Sequence, residues 1–83
     1  MAVVPMGLLH VLKRFPEHEE TIRRLYRKHA SFSSLVKDYA RCAEALRHWR
    51  GLASCEAPLR AAEYAALLQE LEAEILGHLE APF

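Results

Sequence analysis

The sequence predicts an all-α protein: an antiparallel, coiled-coil-like two-helix hairpin preceded by a short apolar N-terminal segment able to form helix. Three observations predict it. Apolar residues recur at intervals of three and four along two stretches, the spacing that places them on one helix face. Sustained period-two alternation, the mark of a half-buried strand, is absent from the sequence. The two stretches also carry opposite charge: residues 21–50 hold eight basic side chains against two acidic ones, and residues 58–83 hold one basic against five acidic.

Residues 1–15 form the first piece. Val3, Val4, Met6, Leu8, Leu9, Val11 and Leu12 make it apolar, but Pro5, Gly7 and His10 interrupt the run. It lacks the basic leader of a signal peptide and falls short of the ~20 apolar residues of a membrane span. Gly7 to Phe15 has room for about two helical turns.

Pro16 opens the first long helix, expected over 16–50. Proline is tolerated in a first turn, where its missing N–H costs nothing, and Glu17, Glu19 and Glu20 complement the helix dipole there. Ile22, His29, Val36 and Ala43 share one heptad position; Leu25, Phe32, Tyr39 and Leu46 share the position three later. Leu35, Cys42 and Trp49 widen the stripe on one flank. An unbroken helix of this span would be about 50 Å long. Ser31, Ser33 and Ser34 weaken its middle, where a bend can form. Gly51 is placed as a C-terminal cap, behind the cations Arg47, His48 and Arg50.

Residues 51–57 make the connection, and the second long helix is expected over 58–80. Tyr64, Leu68, Leu71, Ile75 and Leu79 form its buried stripe, flanked by Leu67, Ala65 and Leu76. A short connection makes the helices antiparallel neighbours. Their opposite charges favour that pairing and its register, while apolar burial holds it, since each exposed ion pair contributes only about 0–1 kcal/mol.

The chain has 83 residues and forms a single domain, 1–83. A domain of this size buries only about 60–65% of its unfolded surface and is marginal alone. One partner helix cannot cover the whole width of the Phe32, Leu35, Tyr39, Cys42 and Trp49 flank. The N-terminal piece covers part of it, and a second copy of the chain is expected to cover the rest. These five residues are therefore the candidate interaction surface, and a homo-oligomer or another protein the expected partner.

From His10 to Leu79 the chain resembles the YdcH-like family of small bacterial proteins. The matching features are the Phe15-Pro16-Glu17 start, Ile22-x-x-Leu25, Phe32-x-x-Leu35-x-x-x-Tyr39 and Leu68-x-x-Leu71-x-x-x-Ile75-x-x-x-Leu79, with a polar gap between the helices. The resemblance implies a helical hairpin in a soluble cytosolic protein and supplies no activity, cofactor or catalytic residue. The chain departs from the family pattern at Ala40, Arg41, Cys42 and Ala43, where that family tends to carry acidic and His residues. Its second helix is Ala- and Glu-rich where the family's is Lys-rich.

Chemistry-bearing motifs are sparse. The five histidines show no His-x-x-x-His or Glu-x-x-His pair on one helix, so neither a di-metal bundle nor a zinc set is expected. Cys42 reads as a core filler. Cys55, in the connection, is open to thiol chemistry but has no neighbouring pattern that would activate it. Arg23, Arg24, Arg27 and Lys28 form a basic patch around Tyr26, a candidate docking site for phosphate, RNA or an acidic partner. A net charge of zero argues against nucleic acid as the main partner. The expected function is a non-enzymatic, self-associating protein–protein module in the cytoplasm, without cofactor, metal or small-molecule substrate. The alternatives are a nucleic-acid accessory protein using the basic patch and a membrane-surface protein anchored by Met1–Phe15.

Overall fold

A computed structural model describes residues 6–80. It comprises α1 (Met6–Arg14), a 3-10 turn (Pro16–His18), α2 (Glu19–Lys28), α3 (Ala30–Arg50) and α4 (Ala57–Glu80). The protein is all-α, with no strand among the described residues. The expected two-helix plan is corrected to four helices, because the first long helix does not run unbroken from Pro16 to Arg50.

The break falls at His29, two residues before the expected serine bend. His29 adopts extended backbone, φ −126° and ψ 111°, and serves both as the end of α2 and as the residue before α3. Its N–H still donates to the Leu25 carbonyl at 2.9 Å, and its carbonyl accepts from Ser33 N–H at 3.1 Å. One residue therefore redirects the chain while its own N–H closes the last turn of α2 and its carbonyl opens the first turn of α3. His29 itself is exposed, although it shares its heptad position with the buried Ile22 and Val36.

α1 is the helix that the apolar N-terminal segment makes. Leu8, Val11 and Phe15, spaced three and four apart, turn inward and are buried. Phe15 N–H closes the last turn on the Val11 carbonyl at 2.9 Å. Pro16 then ends the helix, since the residue before a proline is steered away from helical backbone; Phe15 has φ −127° and ψ 65°. Gly7 lets α1 approach α3 closely. A Cβ there would stand 3.1 Å from the Val36 carbonyl oxygen and 3.3 Å from the Ala40 Cβ.

α3 and α4 are antiparallel by their contacts. The Phe32 ring meets the His78 ring edge-on at 5.7 Å, Tyr39 hydrogen-bonds Glu72 at 2.7 Å, and Cys42 hydrogen-bonds the Tyr64 carbonyl at 3.3 Å. The number rises on α3 as it falls on α4. The connecting segment, 51–56, begins with Gly51 N–H donating to the Arg47 and His48 carbonyls, both at 3.2 Å. Gly51 keeps right-handed backbone, φ −88°, so its expected capping role does not use glycine's left-handed freedom. α4 begins one residue early, at Ala57, with Pro58 in its first turn.

The core gathers at the end of the molecule where all four helices meet. Val11, Ile22, Phe32, Val36 and Ile75 are its fully buried large side chains, joined by Leu8, Phe15, Leu25, Leu35, Tyr39 and Leu79. Each fully buried aliphatic or aromatic side chain stabilises the fold by about 1.5–3 kcal/mol. Towards the connection only α3 and α4 remain, with Cys42, Leu46 and Ala57 buried between them. The sign difference between the long segments is not expressed as direct α3–α4 pairing. Among the described residues the ion pairs are Arg14–Glu72, Arg23–Glu19 and Arg60–Glu63, and none joins α3 to α4.

Candidate interaction surface

The expected interaction surface is largely interior. Phe32 is 1% exposed, Leu35 9%, Tyr39 5% and Cys42 4%. Phe32, Leu35 and Tyr39 belong to the four-helix core, and Cys42 sits in the α3–α4 seam. The expectation of an open face there is corrected. The physical reason is that α1 and α2 fold back as separate helices, so the wide apolar stripe is covered by the chain itself. Trp49 alone of the five is half-buried, beside the connection, where it shares a hollow with Leu52, Ala57 and Pro58 and meets the His48 ring edge-on at 5.6 Å.

One flank of the α3–α4 seam is locked by a polar node. The Tyr39 hydroxyl donates to Glu72 Oε2 at 2.7 Å, and Arg14 Nε donates to the same oxygen at 3.1 Å, so α1, α3 and α4 meet at one carboxylate. Burial strips water from Tyr39, and Glu72 holds its proton; together they push the phenol well above the ordinary tyrosine range. Burial likewise raises the Cys42 thiol, whose S–H donates to the Tyr64 carbonyl. A raised thiol is a poor nucleophile, which fits a packing role.

The opposite flank is open. An apolar groove of about 370 Å³ runs between α3 and α4, with Asp38, Arg41 and Ala45 on one bank, Tyr64, Leu67 and Leu71 on the other, and Cys42 in its floor. Leu67 is 42% exposed, while Tyr64 and Leu71 are half-buried. Asp38 and Arg41 are exposed, and neither forms an ion pair among the described residues. Sequence reasoning placed Tyr64 and Leu71 in the buried stripe and Leu67 beside it, but missed the groove they form with Asp38, Arg41 and Ala45. The available signal was Leu67, one step off the stripe, facing an α3 flank that carries a small residue and two unlike charges.

The basic patch lies elsewhere, on the outer face of α2. Arg23, Arg24, Arg27 and Lys28 are all exposed, and Ile22 and Leu25 anchor the helix beneath them. Arg23 pairs with Glu19 at 3.1 Å, one turn earlier. Arg27 and Lys28 occupy the last turn of α2, where cations are favoured by the dipole alone. For the membrane-surface alternative, the apolar side chains Leu8, Val11 and Phe15 are committed to the core, while Leu9 is 36% exposed. Residues 1–5 lie outside the described residues. No helix among the described residues is long and apolar enough to cross a membrane. No group of three His, Cys, Asp or Glu side chains among them gathers closely enough to hold a metal ion. Cys55 is exposed and Cys42 buried, both as free thiols.

Comparison with family models, curated proteins and solved structures finds no match to this chain.

Proposed function

We propose that this chain is a non-catalytic helical association module that binds a protein partner along the open groove between α3 and α4. The observation that supports it is the placement of Leu67, 42% exposed, between half-buried Tyr64 and Leu71 in a groove that no helix among the described residues covers. Small-molecule sites bury about 70–90% of their ligand. This groove is open along its length, a shape that suits the face of another helix better than an enclosed substrate. Kinship with the YdcH-like hairpins is part of the proposal; it rests on the Phe15-Pro16-Glu17 start and the spacing of the Phe32–Tyr39 and Leu68–Leu79 runs.

A photo-crosslinking residue tests this in the cell of origin. Benzoylphenylalanine in place of Leu67 is expected to give discrete protein adducts, and the same residue in place of Glu20, on the exposed face of α2, none. Equal labelling from both positions, or adducts from position 20 alone, removes the reading.

A further inference from the structure

We propose that the occupant of the groove is a second copy of this chain, seated face to face and antiparallel about a two-fold axis. The inference rests on the association reading above and names its partner. A two-fold interface must be self-complementary: where residue i meets j of the other copy, j must meet i. The α3 bank meets this condition. Asp38 and Arg41 lie three apart on one exposed helix face, opposite in sign, each without an ion pair among the described residues. Antiparallel apposition of α3 on α3 sets Asp38 against Arg41 of the second copy and Arg41 against its Asp38. The same register sets Ser34 against Ala45. Both are small, so the backbones can approach closely.

The α4 bank shares the same axis. Tyr39 contacts Glu72 and Cys42 contacts Tyr64, so the midpoint between Asp38 and Arg41 on α3 lies level with the stretch between Leu67 and Leu71 on α4. Turning the molecule about that point lays Leu67 on Leu71 of the second copy, and Leu71 on its Leu67. Apolar ridge and charge pair are thus satisfied by one rotation, and two two-helix layers stack as a four-helix bundle. A parallel two-fold would instead place α3 on α4 and leave the Asp38–Arg41 reciprocity unused. A patch this small sits at the low end of interface sizes, so the dimer is expected to be concentration-dependent.

Charge reversal with cross-mixing tests the pairing. Sedimentation equilibrium is run on the full chain and on Asp38→Arg, Arg41→Asp and the double variant, with helicity checked by circular dichroism. Both positions are exposed, so the fold is expected to survive. Each single variant faces like with like across the axis twice, and its dimerisation is expected to weaken about tenfold or more. The double variant restores both pairs and is expected to dimerise like the parent. So is an equimolar mixture of the two single variants, in which one copy offers two arginines and the other two aspartates. A parent chain that stays monomeric at high concentration overturns the inference. So does a mixture that associates no better than its components. If benzoylphenylalanine at position 67 gives discrete adducts to another protein in cells while the parent chain stays monomeric, the groove still binds a partner and only its identity as a second copy falls.

Discussion

At the level of single residues, Glu72 carries more of the structure than its place in an acidic helix suggests. One of its oxygens accepts from both the buried Tyr39 hydroxyl and Arg14 Nε, joining three helices. Hydrogen bonds to charged groups contribute about 1.5–3 kcal/mol. Tyr39→Phe is expected to lower stability by about that amount, read as a shift in the urea midpoint. The phenol also makes stability depend on pH. Its folded pKa lies above the unfolded value of about 10, so its contribution is complete below that pH and is lost as pH rises through the folded value. The alkaline limb of the melting-temperature profile is therefore expected to be steeper for the parent than for Tyr39→Phe; parallel limbs would remove Tyr39 as its source. None of this was readable in the sequence. Tyr39 stood there as one more member of an apolar stripe, and only the register of α3 on α4 brings Glu72 to it.

At the level of elements, the pattern of threes and fours located the C-terminal end of α3 and both ends of α4 to within a residue, because a helix buried on one side must repeat its apolar positions at that period. It failed at His29. Heptad positions count straight through a one-residue break, and Ile22 and Leu25 keep phase with Phe32 and Val36 on either side of it. What decides the break is tertiary. Folding α2 apart from α3 lets Ile22 and Leu25 join Leu8, Val11 and Phe15 in one core, which a continuous rod would leave in water. The two helical glycines separate packing from propensity. Gly77 has open space where a Cβ would go, so Gly77→Ala is expected to stabilise by about 0.5–1 kcal/mol through helix propensity alone. Gly7 faces the Val36 carbonyl oxygen, a backbone atom that cannot swing aside. Gly7→Val is expected to cost about 1–3 kcal/mol by overpacking the α1–α3 contact. Denaturant melts of the two variants give the comparison, and equal effects in one direction would contradict it.

At the level of the whole molecule, the four-helix end and the two-helix end differ in kind. The first is closed by its own side chains. The second leaves Leu67 and Leu59 exposed, at 42% and 65%. The sequence implied apolar surface in excess of what two helices can cover and assigned the excess to Phe32, Leu35, Tyr39, Cys42 and Trp49, four of which are buried. Those positions hold the largest and most regularly spaced apolar residues, and size and regularity are what a core selects. The residues left outside are the ones a half-step off the stripe, which periodicity ranks lowest. The central claim, that the groove between α3 and α4 seats a second copy of this chain, is tested most directly by amide chemical shifts followed through a dilution series. Concentration-dependent shifts are expected at Asp38, Arg41, Ala45, Tyr64, Leu67 and Leu71, with Arg23 to Lys28 unmoved. Shifts confined to α2, or spectra that do not change with concentration, would contradict the account.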